Sequence, residues 1–230
     1  MKHVKTKTFL MTALLALLFA MPAHGVNYSP AFQRLTEFNR AKPLQNPHYE
    51  HLGDVLDRRV LDNKNKVVGE VRDILVTQNG SIDSIRVDFD RLRLGSPVFL
   101  NYNSMRIQPS ADAYSVGFRD SEIAEIYPSL LADMATAAGS DEDVFDVRAL
   151  KGAQVHDNTG RILGKVDEIL FNEKGSRVEA LYVSMSYGKL NGESLAIPFN
   201  MGRLENTVNG KRVVLDKEQA DAMIDFASTR

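Results

Sequence analysis

The chain carries the same pattern twice. Val60–Leu75 reads VLDNKNKVVGEVRDIL and Val155–Leu170 reads VHDNTGRILGKVDEIL, with seven of sixteen positions identical. The correspondence continues downstream, where Gly80-Ser81 answers Gly175-Ser176. After one inserted residue, Ile85, Val87 and Phe89 answer Leu181, Val183 and Met185, and Phe99–Ile107 answers Ala196–Leu204. A unit of about 75 residues that occurs twice calls for two copies of one supersecondary arrangement. A single large domain has no reason to repeat its turns.

Each copy reads as β-rich. Asp62–Asn65 and Asp157–Gly160 are turns between apolar runs, and Asn65 and Gly160 occupy the place where a left-handed backbone closes a tight hairpin. Long strands follow over Val67–Thr77 and Ile162–Asn172, then alternating strands over Ile82–Phe89 and Val178–Met185. Shorter strands are expected near Val98–Tyr102 and Leu195–Phe199, Met105–Ile107 and Arg203–Leu204, and Tyr114–Phe118 and Arg212–Leu215. A short helix closes each copy: one capped by Asp216, the other starting after Asp120 and ending at Pro128. Within each long strand the apolar phase slips, between Val71 and Ile74 and between Val166 and Ile169. A bulge at Arg72-Asp73 and at Asp167-Glu168 restores it, and small barrels need such corners to close. The expected fold is mainly β: two tandem small barrels with solid interiors, each closed by a short helix.

The N-terminus reads as an address. Lys2, Lys5 and Lys7 precede an apolar run of 13 residues, Phe9–Met21, and small residues at Ala23 and Gly25 follow Pro22. A permanent membrane helix takes roughly 20 residues, so residues 1–25 read as a signal peptide cleaved after Gly25. The expected organisation is then an arm over 26–50, a first barrel over 51–128, a linker over 129–145 and a second barrel over 146–230. Pro30–Asn39 is a helix within the arm, with Ser29 as its cap. The expected location is the bacterial periplasm or the exterior. An absence of Cys suits that location, and it removes disulfides, thiolate metal sites and cysteine nucleophiles. Loss of three lysines takes the formal charge from -2 to -5, which argues against nucleic acid as a partner.

The second copy resembles the PRC-barrel family. The resemblance rests on Gly160–Leu170 (GRILGKVDEIL), on the aromatic and glycine loop Val183–Gly192, and on the strand Leu195–Phe199 that ends in Ile-Pro-Phe. Relatives include the cytoplasmic domain of the photosynthetic reaction-centre H subunit and the C-terminal domain of a ribosome maturation factor. The first copy departs from the pattern: Asp90–Gly95 (DRLRLG) replaces the glycine loop, and Leu100-Asn101 stands where the second copy has Ile197-Pro198. The resemblance implies a binding or assembly module with no shared catalytic set and no cofactor. An unidentified envelope protein is the expected partner, with peripheral membrane association as a further expectation.

Since solid barrels leave only loops and outer faces for recognition, the partner-binding candidates are Arg91, Leu92 and Leu94 in one copy and Tyr187, Lys189 and Leu190 in the other. Asp73 and Glu168, at the same point of both copies, are read as structural carboxylates that accept backbone hydrogen bonds freed at the bulges. His48 and His51, with Glu50 between them, support the alternative of a small-ligand or metal-binding periplasmic protein, because on a helix the two rings share a face. No third ligand follows at matching spacing, so no metal is assigned. One contrast between the copies stands out on the alternating strand. The first has Arg86, Asp88 and Asp90, a solvated charge row; the second has Tyr182, Ser184 and Ser186, a neutral row suited to being covered.

Overall fold

The computed structural model describes residues 29–90, 96–137, 144–208 and 210–229. The expected signal peptide, the loop Arg91–Leu94 and residues 138–143 of the expected linker lie outside them. Ser29 starts the first helix: its Oγ accepts the Phe32 N–H at 3.2 Å, and Pro30 takes the first helical position, giving α1 over Pro30–Arg40. A short strand β1 (Tyr49–His51) and a single helical turn α2 (Leu52–Val55) follow. The first repeat then supplies β2 (Arg59–Leu61), β3 (Val67–Thr77), β4 (Ile82–Phe89), β5 (Val98–Asn101), β6 (Gln108–Pro109), β7 (Ala113–Ser115) and α3 (Ile123–Ala137). Strand β8 (Val144–Asp146) and the turn α4 (Val147–Leu150) lead into the second repeat. That repeat is built of β9 (Gln154–Asp157), β10 (Ile162–Asn172), β11 (Val178–Met185), β12 (Ser194–Pro198), β13 (Arg203–Thr207), β14 (Gly210–Leu215) and α5 (Lys217–Ser228).

The protein is mainly β, and its two sheets share one topology. One runs β5-β4-β3-β2-β7-β6 and the other β12-β11-β10-β9-β14-β13, with seven strands in each. Neighbours are antiparallel except for β2 with β7 and β9 with β14, which are parallel. Both expected bulges are present: the ladder shifts between Val71 and Asp73 in β3 and between Val166 and Glu168 in β10. Gly69 and Gly164 lie opposite the ends of β4 and β11, where a Cβ would come within 2.3 Å of the Asp88 carbonyl and 2.4 Å of the Ser184 carbonyl. Only glycine permits that approach. Asn65 and Gly160 both take positive φ, 61° and 88°, as the hairpin turns require.

Asp62 and Asp157 hold those turns in the same way. Oδ1 of each accepts the N–H groups two and four residues on: Lys64 and Lys66 in one unit, Thr159 and Arg161 in the other, all at 2.8–2.9 Å. These donors hold both carboxyls below the usual range, with the Lys66 N–H foremost for Asp62 and the Thr159 hydroxyl for Asp157. Asp157→Ala removes all of them at once. A fall in melting temperature of roughly 2–6 °C is expected at pH 7, read by circular dichroism.

The two units are not independent beads. Strand β1, which precedes the first unit, pairs with β10 of the second, and β8, which precedes the second unit, pairs with β3 of the first. The registers match across the repeat, His51 opposite Leu170 and Asp146 opposite Leu75. Each unit thus lends a strand to the other about a local pseudo-twofold axis. Near that axis Ser81 bridges Arg177, and Val178 N–H donates to the Gly80 carbonyl at 2.9 Å. The apolar side chains of both units form one continuous core. This corrects the picture of two separately filled barrels: the interiors are filled, with Val71, Ile74, Ile85 and Leu100 in one unit and Val166, Ile169, Leu181 and Ile197 in the other fully buried, but the fillings meet.

Other expectations change as well. The end of the expected arm, Tyr49-Glu50, belongs to strand β1, because β10 offers it an edge. Helix α3 does not stop at Pro128; it gives up one backbone bond there and continues, with Ile123 and Leu130 buried two turns apart on one face. Met105–Ile107 is a turn, and the strand begins at Gln108. The arm itself folds onto the second unit. Phe32 meets Phe226 of α5 edge-on at 6.1 Å, and the Asn39 amide both donates to and accepts from the Ala196 backbone, at 2.8 and 2.9 Å. Asn39 therefore satisfies the edge of β12 as another strand would.

Candidate functional site

The pseudo-twofold axis supplies an internal comparison. Features found in both units serve the shared fold; features found in one do not. By that measure the bulge carboxylates divide into a shared part and an unshared part. Asp73 Oδ1 accepts the Ile74 N–H at 2.8 Å and Glu168 Oε1 accepts the Ile169 N–H at 3.0 Å, the backbone role expected for both. Glu168 then completes its pairing with Lys151 Nζ at 3.1 Å. Asp73 pairs with no lysine among the described residues. It is 4% exposed and meets the side chain of Asp146, which also caps α4 by accepting the Ala149 N–H at 3.1 Å. Burial first, and the neighbouring Asp146 second, push the Asp73 carboxyl up to about 7 against the opposing pull of the Ile74 N–H and Arg148.

Around this pair the first unit opens a cleft of about 260 Å³ lined by Arg72, Asp73, Arg86, Asp88, Pro97 and Arg148. The bulge places both Arg72 and Asp73 on its wall, which an unbroken strand would not do with consecutive residues. Strand β4 supplies Arg86 and Asp88, so these two of the charge row line a cleft, while Asp90 is exposed as expected of a solvated row. Arg148 reaches in from α4, on the segment that crosses from the second unit, and its Nε donates to the Arg72 carbonyl at 2.9 Å.

The three arginines differ in what they already hold. Arg72 is occupied by Glu70 at 2.9 Å, Asp57 at 3.1 Å and Asp88 at 3.5 Å. Arg86 lies over the Phe99 ring at 5.9 Å, makes no ion pair with a described residue, and buries its Nε–H without a hydrogen-bond partner. Arg148 is exposed and has no ion pair within 4 Å among the described residues. In the second unit Tyr182, Ser184 and Gly53 stand at the positions of Arg86, Asp88 and Arg148, and Asp167 at that of Arg72. Tyr182 and Ser184 are half-buried there and Ser186 is exposed.

The residues singled out by sequence are scattered. Arg91, Leu92 and Leu94 lie outside the described residues. Tyr187 is pinned by Arg161, whose guanidinium lies 4.8 Å over the ring and donates to the hydroxyl at 3.0 Å, while Arg161 also pairs with Asp157 at 2.8 Å. Leu190 packs against the core beside it, and Lys189 alone of the three is exposed. His48 lies in the turn before β1 and His51 ends that strand, so the two do not share a helical face. His48 Nδ1 meets Glu173 at 3.1 Å and His51 Nε2 meets the Leu44 carbonyl at 3.3 Å. The described residues contain no group of three or more His, Cys, Asp or Glu placed to hold a metal ion.

Sequence reasoning passed over Arg86, Asp146 and Arg148 as members of one site. The signal available was the departure between copies at Arg86/Tyr182 and Asp88/Ser184. What joins those residues to Asp146 and Arg148 is the strand exchange, which no local pattern announces.

No curated protein matches the chain. The family model of the PRC-barrel domain matches residues 142–221, from β8 into the first turn of α5. The topology of the second unit, the glycine at position 164, the bulge at Glu168 and this match agree, and the C-terminal part of the chain is a PRC-barrel domain.

Proposed function

We propose that this protein is a non-enzymatic interaction or assembly module of the bacterial envelope, built from two PRC-barrels and acting in the periplasm or outside the cell after cleavage behind Gly25. The observation that carries this reading is the apolar filling of both sheets, which leaves recognition to outer surfaces. The first unit repeats the topology of the matched second unit strand for strand, which supports counting it as a second barrel. The basic and apolar start of the chain supports export.

The test has two parts in cells. N-terminal sequencing of the mature protein from an osmotic-shock fraction is expected to read from Val26. A photo-crosslinking residue at Lys189, which is exposed, is expected to yield one reproducible adduct with an envelope protein, while the same residue at the buried Val183 yields none. A chain retained in the cytoplasm with residues 1–25 intact, or adducts no different from the buried control, would overturn the proposal.

A further inference from the structure

The cleft of the first unit has properties that the fold alone does not require. The second unit reaches the same topology with Tyr182, Ser184 and Gly53 in place of Arg86, Asp88 and Arg148. A guanidinium N–H buried without an acceptor is unfavourable, and native proteins rarely leave one so unless a ligand or water completes it. Two guanidinium groups with no ion pair within 4 Å among the described residues border a space that takes a small polar group together with several waters, each about 30 Å³.

We infer that this cleft is a binding site for a carboxylate group, with Arg86 and Arg148 as its cationic walls. The flat fork of a guanidinium matches a carboxylate in two parallel hydrogen bonds. The charged groups facing the Asp73–Asp146 pair are Arg72 on β3, Arg86 and Asp88 on β4, and Arg148 on α4. Arg72 is already held by Glu70, Asp57 and Asp88, which leaves Arg86 and Arg148 as the guanidinium groups open to a ligand. The pair keeps one proton between its two carboxyls to about neutral pH, so it carries one negative charge below that point and two above, and repels an anion more strongly above it. The inference rests on the cleft itself and stands or falls apart from the envelope role.

The experiment titrates acetate, and separately a blocked tetrapeptide bearing one aspartate, into 15N-labelled protein at constant ionic strength, at pH 6 and pH 8. Backbone amides of Ile74 and Val87 and the Arg86 Nε–H resonance are followed. Saturable shifts confined to the cleft are expected, tighter at pH 6 than at pH 8. Arg148→Gln is expected to weaken binding by about tenfold or more. Arg86→Tyr, which installs the side chain borne by the other unit, keeps the fold and is expected to do the same, with an unchanged melting curve as control. Tighter binding of the peptide assigns the carboxylate to a protein partner, and equal or tighter binding of acetate to a free acid. Shifts that do not saturate, that survive both substitutions, that ignore pH, or that inorganic phosphate reproduces at equal affinity would overturn the inference.

Discussion

Arg58→Met is expected to destabilise the folded chain by about 3–5 kcal/mol, the range for breaking a buried ion pair by removing one partner. The Arg58 side chain is 2% exposed, and it ties three parts of the molecule together. Its Nη1 donates to the Ser110 carbonyl of the first unit at 3.0 Å and to the Lys174 carbonyl of the second at 2.9 Å. Its Nε donates to the Asp54 carbonyl at 3.3 Å, and its Nη2 lies 3.2 Å from Glu50 on the crossing strand β1. The guanidinium also covers the ring of Tyr114 at 5.7 Å, and that hydroxyl donates to the Gly175 carbonyl in the same turn of the second unit. A methionine fills part of the space but leaves three carbonyls without their donor and Glu50 without its cation. Urea denaturation measures the loss. Arg59→Met is the comparison: its side chain is 54% exposed and pairs with Asp112 at the surface, so a change within about 1 kcal/mol is expected. Equal effects at the two neighbouring positions would refute the role given to Arg58.

The contrast between Arg58 and Arg59 also shows where sequence reading stops. In the chain they are adjacent cations after an aspartate, with nothing to tell them apart. The features that could be read were those written twice. Gly69 and Gly164 mark close backbone approaches, Asn65 and Gly160 mark left-handed turns, and the phase slips mark the bulges, because each answers a local steric demand that both copies must meet. Tyr49–His51 and Val144–Asp146 carry no such mark. Three residues are too few to show a strand period, and their partners lie in the opposite repeat, so pairing is decided by an edge that exists only after folding. Pro128 misled for a related reason: its local preference ends a helix, but the burial of Ile123 and Leu130 on one face outweighs one lost backbone bond. The cleft was half legible. Arg86 and Asp88 could be seen to differ from Tyr182 and Ser184, yet their meeting with Asp146 and Arg148 depends on the exchanged segment.

Asp73→Asn is expected to raise stability in a manner that grows with pH, and this tests the carboxylate pair without any ligand. The folded chain holds a proton on Asp73 up to about 7, whereas the unfolded chain releases it near the ordinary 3.8. Between those values the folded state binds more protons than the unfolded state, so stability falls as pH rises from about 4 to 7 and is level above. Asparagine keeps what the protonated acid supplies: Oδ1 accepts the Ile74 N–H, and the amide N–H can donate to Asp146. It carries no charge to lose. At or below about pH 4 the substituted and original chains should therefore melt together, and at pH 8 the asparagine chain should be more stable by a few kcal/mol, on the order of 2–4. Glu168→Gln has the opposite logic, because Glu168 is paired with Lys151 rather than with another acid. Removing its charge costs that ion pair at pH 8 and stabilises nothing. Two substitutions at equivalent points of the repeat should thus move stability at pH 8 in opposite directions, since the exchanged segment brings an aspartate to one bulge and a lysine to the other.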